Sequence, residues 1–284
     1  MLLLSNSQGN GPEYPDRAIY SWVLQDLLNA GRTGPPVRVV NWSFGPNRVP
    51  EAVALLARAQ DLRPHVVLSV FHVAWFQDAD YEIAGRPTPL AMFPGDVIDT
   101  AWLYRDRTPA AYRAHYLRPV TALNAFFARY WPTYRFRDLP VSYLQVNQPW
   151  FQPFVPEGDW AAWFLAARAR HSRLQAQPIA RTLPGKPRRE LVEMFGEAAA
   201  HLPGRHVFVL QPHYYRLEQT SDAYSGLPAA LARHGIETWD LSAAVPWRQF
   251  LEGQHLHLAD EGHRTLAAAL AERVRPLLPD GPPS

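Results

Sequence analysis

Leu2-Leu3-Leu4-Ser5-Asn6-Ser7-Gln8-Gly9-Asn10-Gly11 is the stretch on which the reading of the chain turns. Three leucines form a short apolar run that stops at polar residues and glycines, and a helical pattern follows. A buried strand that ends in a hydroxyl residue and runs through glycines into a helix is how α/β enzymes present a nucleophile. Ser, Asn and Gly are also ordinary turn formers and helix caps, so the same letters support a purely structural turn. Ser7 is the first candidate for chemistry because of the far end of the chain. There His255-Leu256-His257-Leu258 precedes Asp260-Glu261-Gly262-His263 and an Ala/Leu-rich helix. A serine after the first strand and a histidine before the last helix can meet above a parallel sheet, and a serine hydrolase needs both.

Between these ends the periodicities alternate. Tyr14 to Ala30 has helical spacing, with Ile19, Trp22, Val23, Leu27 and Leu28 on one face. Val37 to Trp42 reads as a strand ending at Ser43-Phe44-Gly45-Pro46, Pro50 to Leu62 as a helix, and Pro64 to Phe71 as a buried strand. After a long interval the alternation resumes with a strand at His206 to Pro212, a helix at Gly226 to His234, a strand at Ile236 to Asp240 and a final helix at Glu261 to Leu278. The expected class is α/β: a three-layer α/β/α sandwich on a mostly parallel five-stranded sheet. Residues 1–284 read as a single domain, with 72–204 as an aromatic-rich helical insertion after the third strand. Within it, helices are expected at Ala110 to Trp131, Asp159 to Gln177 and Arg188 to Leu202, and an extra strand at Val141 to Val146.

Composition narrows the function classes. The 284 residues are 47% hydrophobic and 12% aromatic, ample for a packed core, and a formal net charge of +2 leaves no basic footprint for nucleic acid. Cysteine is absent, which removes disulfides and thiolate metal sites. His201, His206 and His213 lack close ligand spacing and an acidic cluster, and no Gly-x-Gly-x-x-Gly follows a strand, so neither a metal nor a cofactor is expected. No stretch has the apolar length of a membrane span, and the start lacks the features of a signal peptide. The expected location is cytoplasmic, or extracytoplasmic if a leader precedes this sequence. The aromatics Trp75, Phe76, Tyr81, Phe93, Trp102, Tyr104, Trp150, Phe151, Phe154, Trp160 and Trp163 either pack the insertion onto the sheet or line a substrate cleft.

These residues resemble the SGNH hydrolases, the GDSL-type esterases and lipases, as a divergent member. The family's Gly-Asp-Ser block is similar to Ser5-Asn6-Ser7, which keeps the serine alone, and its Asn-x-Gly-x-x-Gly block to Asn41-Trp42-Ser43-Phe44-Gly45-Pro46. Its third block, Gly-x-Asn-Asp, has no counterpart in Phe71-His72-Val73-Ala74-Trp75, leaving His72 or Asn147 to stand in for the oxyanion-binding asparagine. In the last block the helix-opening glycine follows the catalytic histidine. His257-Leu258-Ala259-Asp260-Glu261-Gly262 reproduces that frame, which leaves His263 inside the helix as a surface residue.

The resemblance implies a flavodoxin-like sheet, Ser7 as nucleophile and His257 as base, with His255 as the alternative. The family's acid position falls on Gln254, so the acid must come from elsewhere, and Glu252 is the candidate close in sequence. Oxyanion and substrate contacts fall on Ser43, Gly45, His72 and Asn147, with the amides of Ser7 and Gly45 as donors. The implied function is a serine-dependent esterase or deacylase, acting on a small-molecule or carbohydrate ester such as an O-acyl sugar. An O-acyltransferase using the same serine, and a non-catalytic domain that binds glycans or a protein, are the other two readings. Oligomeric state is not legible.

Overall fold

The computed structural model describes residues 1–11, 14, 16–43, 49–76, 103–118, 179–180, 187–213, 215–216, 226–251 and 257–278, Ser7 among them by its backbone alone. Five strands form one sheet: β1 (Leu2–Ser5), β2 (Val40–Ser43), β3 (Val66–Phe71), β4 (Arg205–Leu210) and β5 (Glu237–Asp240). Their order is β2-β1-β3-β4-β5, and every pairing is parallel. Between the strands run α1 (Ser7–Asn10), α2 (Tyr20–Asn29), α3 (Val49–Ala59), α4 (Arg189–Ala200) and α5 (Gly226–Ala232), and α6 (Asp260–Val274) follows β5.

The strand residues sort themselves by alternation. Leu2, Leu4, Val67, Phe71 and Phe208 share one apolar cluster with residues of α3, α4 and α5. Leu3, Leu68, Val70, Val207 and Val209 share another with residues of α2 and α6. Alternate strand residues thus join different sets of helices, and all six residues of β3 are buried, so it reads as an apolar run broken only by Ser69. That serine is buried with its hydroxyl 2.9 Å from His206 Nε2 on the neighbouring strand.

Element boundaries move for identifiable reasons. The strand expected from Val37 starts only at Val40, because β1 runs out: Val40 N already donates to the carbonyl of Met1. The amides of Val37 and Val39 donate instead to side chains of α2, Asn29 Oδ1 at 2.7 Å and Gln25 Oε1 at 2.9 Å. The helix expected from Tyr14 is split into a 3₁₀ turn at Asp16–Ala18 and α2, with Ile19 extended between them. The last helix tightens to 3₁₀ at Arg275–Leu277, where Pro276 ends the α ladder.

Of the segment 72–204, a 3₁₀ turn at Val73–Phe76 packs onto the sheet: the Trp75 ring stacks on Phe71 at 3.8 Å, and Phe76 lies 5.3 Å from Phe208. A helical turn at Ala110–Tyr112 continues in π geometry through Leu117, at the start of the helix expected there. The strand expected at Val141 to Val146 and the helix at Asp159 to Gln177 lie outside the described residues. A two-residue parallel ladder pairing Ile179–Ala180 with Tyr215–Arg216 is an addition the sequence did not announce. Among the described residues no helix is long and apolar enough to cross a membrane.

Candidate functional site

The chain leaves β1 outward to β2 and then returns across it to β3, so connections diverge between β1 and β3. In open parallel sheets ligands bind at the carboxyl edge where the order reverses. Ser5 is paired with Ser43 on β2 and with Val70 on β3. Ser7 and His72 each lie two residues beyond that paired level, at the same edge.

Local chemistry explains the turn after β1. Asn6 accepts the Gln8 amide on its Oδ1 at 3.0 Å and the Gly9 amide on its carbonyl at 3.0 Å, so it caps α1. Ser7 is thereby the first residue of α1, immediately past the strand. Gly9 is required by space: a Cβ there would stand 2.5 Å from both Ser43 Oγ and Ser5 Cβ and 2.8 Å from the Tyr20 hydroxyl. Asn41 ties the turn to β2 and α2, donating through Nδ2 to the Gly9 carbonyl at 2.9 Å and to Ser21 Oγ at 3.0 Å. The Ser43 hydroxyl donates to Asn41 Oδ1. Tyr20 is fully buried, and burial raises its phenol well above the ordinary range, so it stays protonated.

A second polar group gathers beyond β3 and β4. His72 and His213 are each 9% exposed, and their rings meet edge to face at 4.9 Å. Gln8, also buried, spans the edge and donates from Nε2 to the Pro212 carbonyl at 3.0 Å. Gln211 lies beside it, fully buried.

His257 is half-buried at the foot of α6. Its carbonyl accepts the Leu251 amide at 3.0 Å, and Phe250 and Leu258 form an antiparallel bridge. Gly262 lets the first turn of α6 approach this bridge: a Cβ there would stand 2.5 Å from the Gln249 carbonyl oxygen. Gly45, Asn147, Glu252 and His255 lie outside the described residues.

His263 corrects an expectation. It is inside α6 but 1% exposed rather than on the surface. Its Nδ1 accepts the Tyr20 amide at 3.3 Å, and its ring stacks on Tyr20 and meets Tyr14 edge-on. It satisfies the first free amide of α2, tying the two helices together.

Sequence reasoning did not single out Asn41, Tyr20, Gln8 or Gln211 as site residues. Asn41 was legible as part of a family block; the others acquire meaning only from neighbours distant in sequence. Of the three histidines weighed as metal ligands, His206 is buried inside the sheet while His213 is at its edge. Among the described residues no group of three His, Asp or Glu side chains is arranged to hold a metal ion. Comparisons with protein-family models, with curated proteins and with solved structures gave no match.

Proposed function

We propose that the chain is a serine-dependent esterase or deacylase of the SGNH kind, a three-layer α/β/α sandwich elaborated by a helical insertion after β3. The observation that carries this reading is the position of Ser7, first residue of α1 directly beyond β1 at the reversal of strand order. Nucleophiles gain by standing there, because the helix start offers free amides beside the attacking oxygen. Support for His257 comes from a chain of contacts: it precedes α6, α6 holds α2 through His263, and Tyr20 of α2 abuts Gly9 in the turn that carries Ser7.

In this reading His257 takes the Ser7 hydroxyl proton as Oγ bonds the acyl carbon, and the amides of Ser7 and Gly45 receive the negative oxygen. The same imidazole then returns the proton to the departing alcohol. Water, deprotonated by His257, releases the acid and restores Ser7. Glu252 orients the imidazole, with His255 as the alternative base; Ser43, His72 and Asn147 border the oxyanion and substrate. The substrate class is an O-acyl ester of a small molecule or carbohydrate.

Hydrolysis of p-nitrophenyl acetate tests the assignment. Ser7→Ala should lower kcat/KM by at least about 1000-fold, and His257→Gln by about 100-fold or more. Turnover unchanged in Ser7→Ala would remove the serine from the mechanism.

A further inference from the structure

Gln211 follows β4 but remains in its ladder, its N–H donating to the Phe71 carbonyl at 3.0 Å. Val207 and Val209 face the α2 and α6 side of the sheet, and alternation turns Gln211 the same way, toward the side on which Ser5 meets Tyr20. Its side chain is fully buried, and among the described residues neither its amide nitrogen nor its amide oxygen has a hydrogen-bond partner. Gln8, its neighbour across the edge, instead spends its Nε2 on the Pro212 carbonyl. A buried amide with both ends unpaired is costly and rare, and calls for a partner that arrives from outside the chain. The adjoining residues at the edge are polar: His213 is two positions on, and His72 follows the Phe71 to which Gln211 is bonded. Their rings touch at the edge of the sheet, both fractionally exposed.

We propose that Gln211, with His72 and His213, forms a recognition subsite for a neutral hydroxyl-bearing group of a ligand. An amide offers two N–H donors and a carbonyl acceptor, and the His72 and His213 rings border it at the edge. A hydroxyl donates and accepts, so it satisfies both ends of Gln211. A carboxylate would leave the amide oxygen opposed, and a cation would leave the N–H groups opposed. The nearby carboxylate of Asp240 is engaged with Ser242, whose amide and hydroxyl donate to its Oδ1 at 2.9 and 2.6 Å. Taking the bound group as the alcohol half of a substrate ester rests on the esterase reading; the subsite itself does not.

The test uses measurements independent of turnover. Gln211→Met, matched in length, and Gln211→Leu both remove the unpaired amide, so melting of the unliganded protein should rise by about 2 °C or more in at least one of them. Methyl β-D-glucopyranoside and glycerol are titrated as neutral hydroxyl probes, followed by the imidazole NMR signals of His72 and His213. Saturable shifts in the wild type, weakened at least tenfold in the stabilised variant, are the expected result. A lower melting temperature in both variants, equal binding by variant and wild type, or no saturable shift with either probe would overturn the subsite. Failure of the esterase reading would appear as absent p-nitrophenyl acetate turnover and would leave these readouts unaffected.

Discussion

Gly262 illustrates how a single residue links the two levels of reading. In the sequence it fixes the frame that selects His257; in the fold it has a spatial reason, since a Cβ would stand 2.5 Å from the Gln249 carbonyl oxygen and 3.2 Å from Leu258 Cβ. Backbone cannot yield as a flexible side chain does. Gly262→Ala should therefore cost about 1–3 kcal/mol, read as a lower urea midpoint with an unchanged slope. An unchanged midpoint would show that the approach is not tight. His263, next in the chain, shows the limit of local reading. A polar residue in an amphipathic helix reads as exposed, but the groups that bury it, Tyr14 and Tyr20, come from the opposite end of the chain.

At the scale of elements, periodicity located the five strands and the helices that flank them, since burial on one or two faces imprints itself on residue type. Boundaries were less legible because they depend on the partner. β2 starts where β1 supplies a neighbour, and side chains of α2 take the amides before it. The β3 and β4 pair holds a further consequence. Burial holds the His206 imidazole down to about 3 from its ordinary 6.5, and it stays neutral against Ser69. The unfolded chain takes up a proton below 6.5 that the native state refuses, so the stabilisation is complete above 6.5 and is lost as pH falls from there toward 3. One such proton changes stability by up to about 1.4 kcal/mol per pH unit. Urea melts at pH 7, 5.5 and 4.5 should give a steeper acid loss for the wild type than for His206→Gln; parallel losses would contradict it.

For the whole molecule, sequence order and strand order together place the polar groups. The alternation of elements implied a parallel sheet, and the reversal between β1 and β3 brings the turn at Ser7 to the edge shared by His72, Gln8 and Gln211. The positions of Ser7, His72 and His257 at strand ends and before the last helix were legible because strand ends and helix starts mark themselves in sequence. Gln8 and Gln211 were not, because a glutamine at the end of an element carries no local sign of burial. The central claim is that Ser7 is an activated nucleophile at this edge. Treating the folded protein with a fluorophosphonate and mapping the adduct by peptide mass spectrometry tests it most directly. The account predicts a single covalent adduct on Ser7, absent from Ser7→Ala and sharply slowed in His257→Gln; an unlabelled wild type, or an adduct that persists in Ser7→Ala, would contradict it.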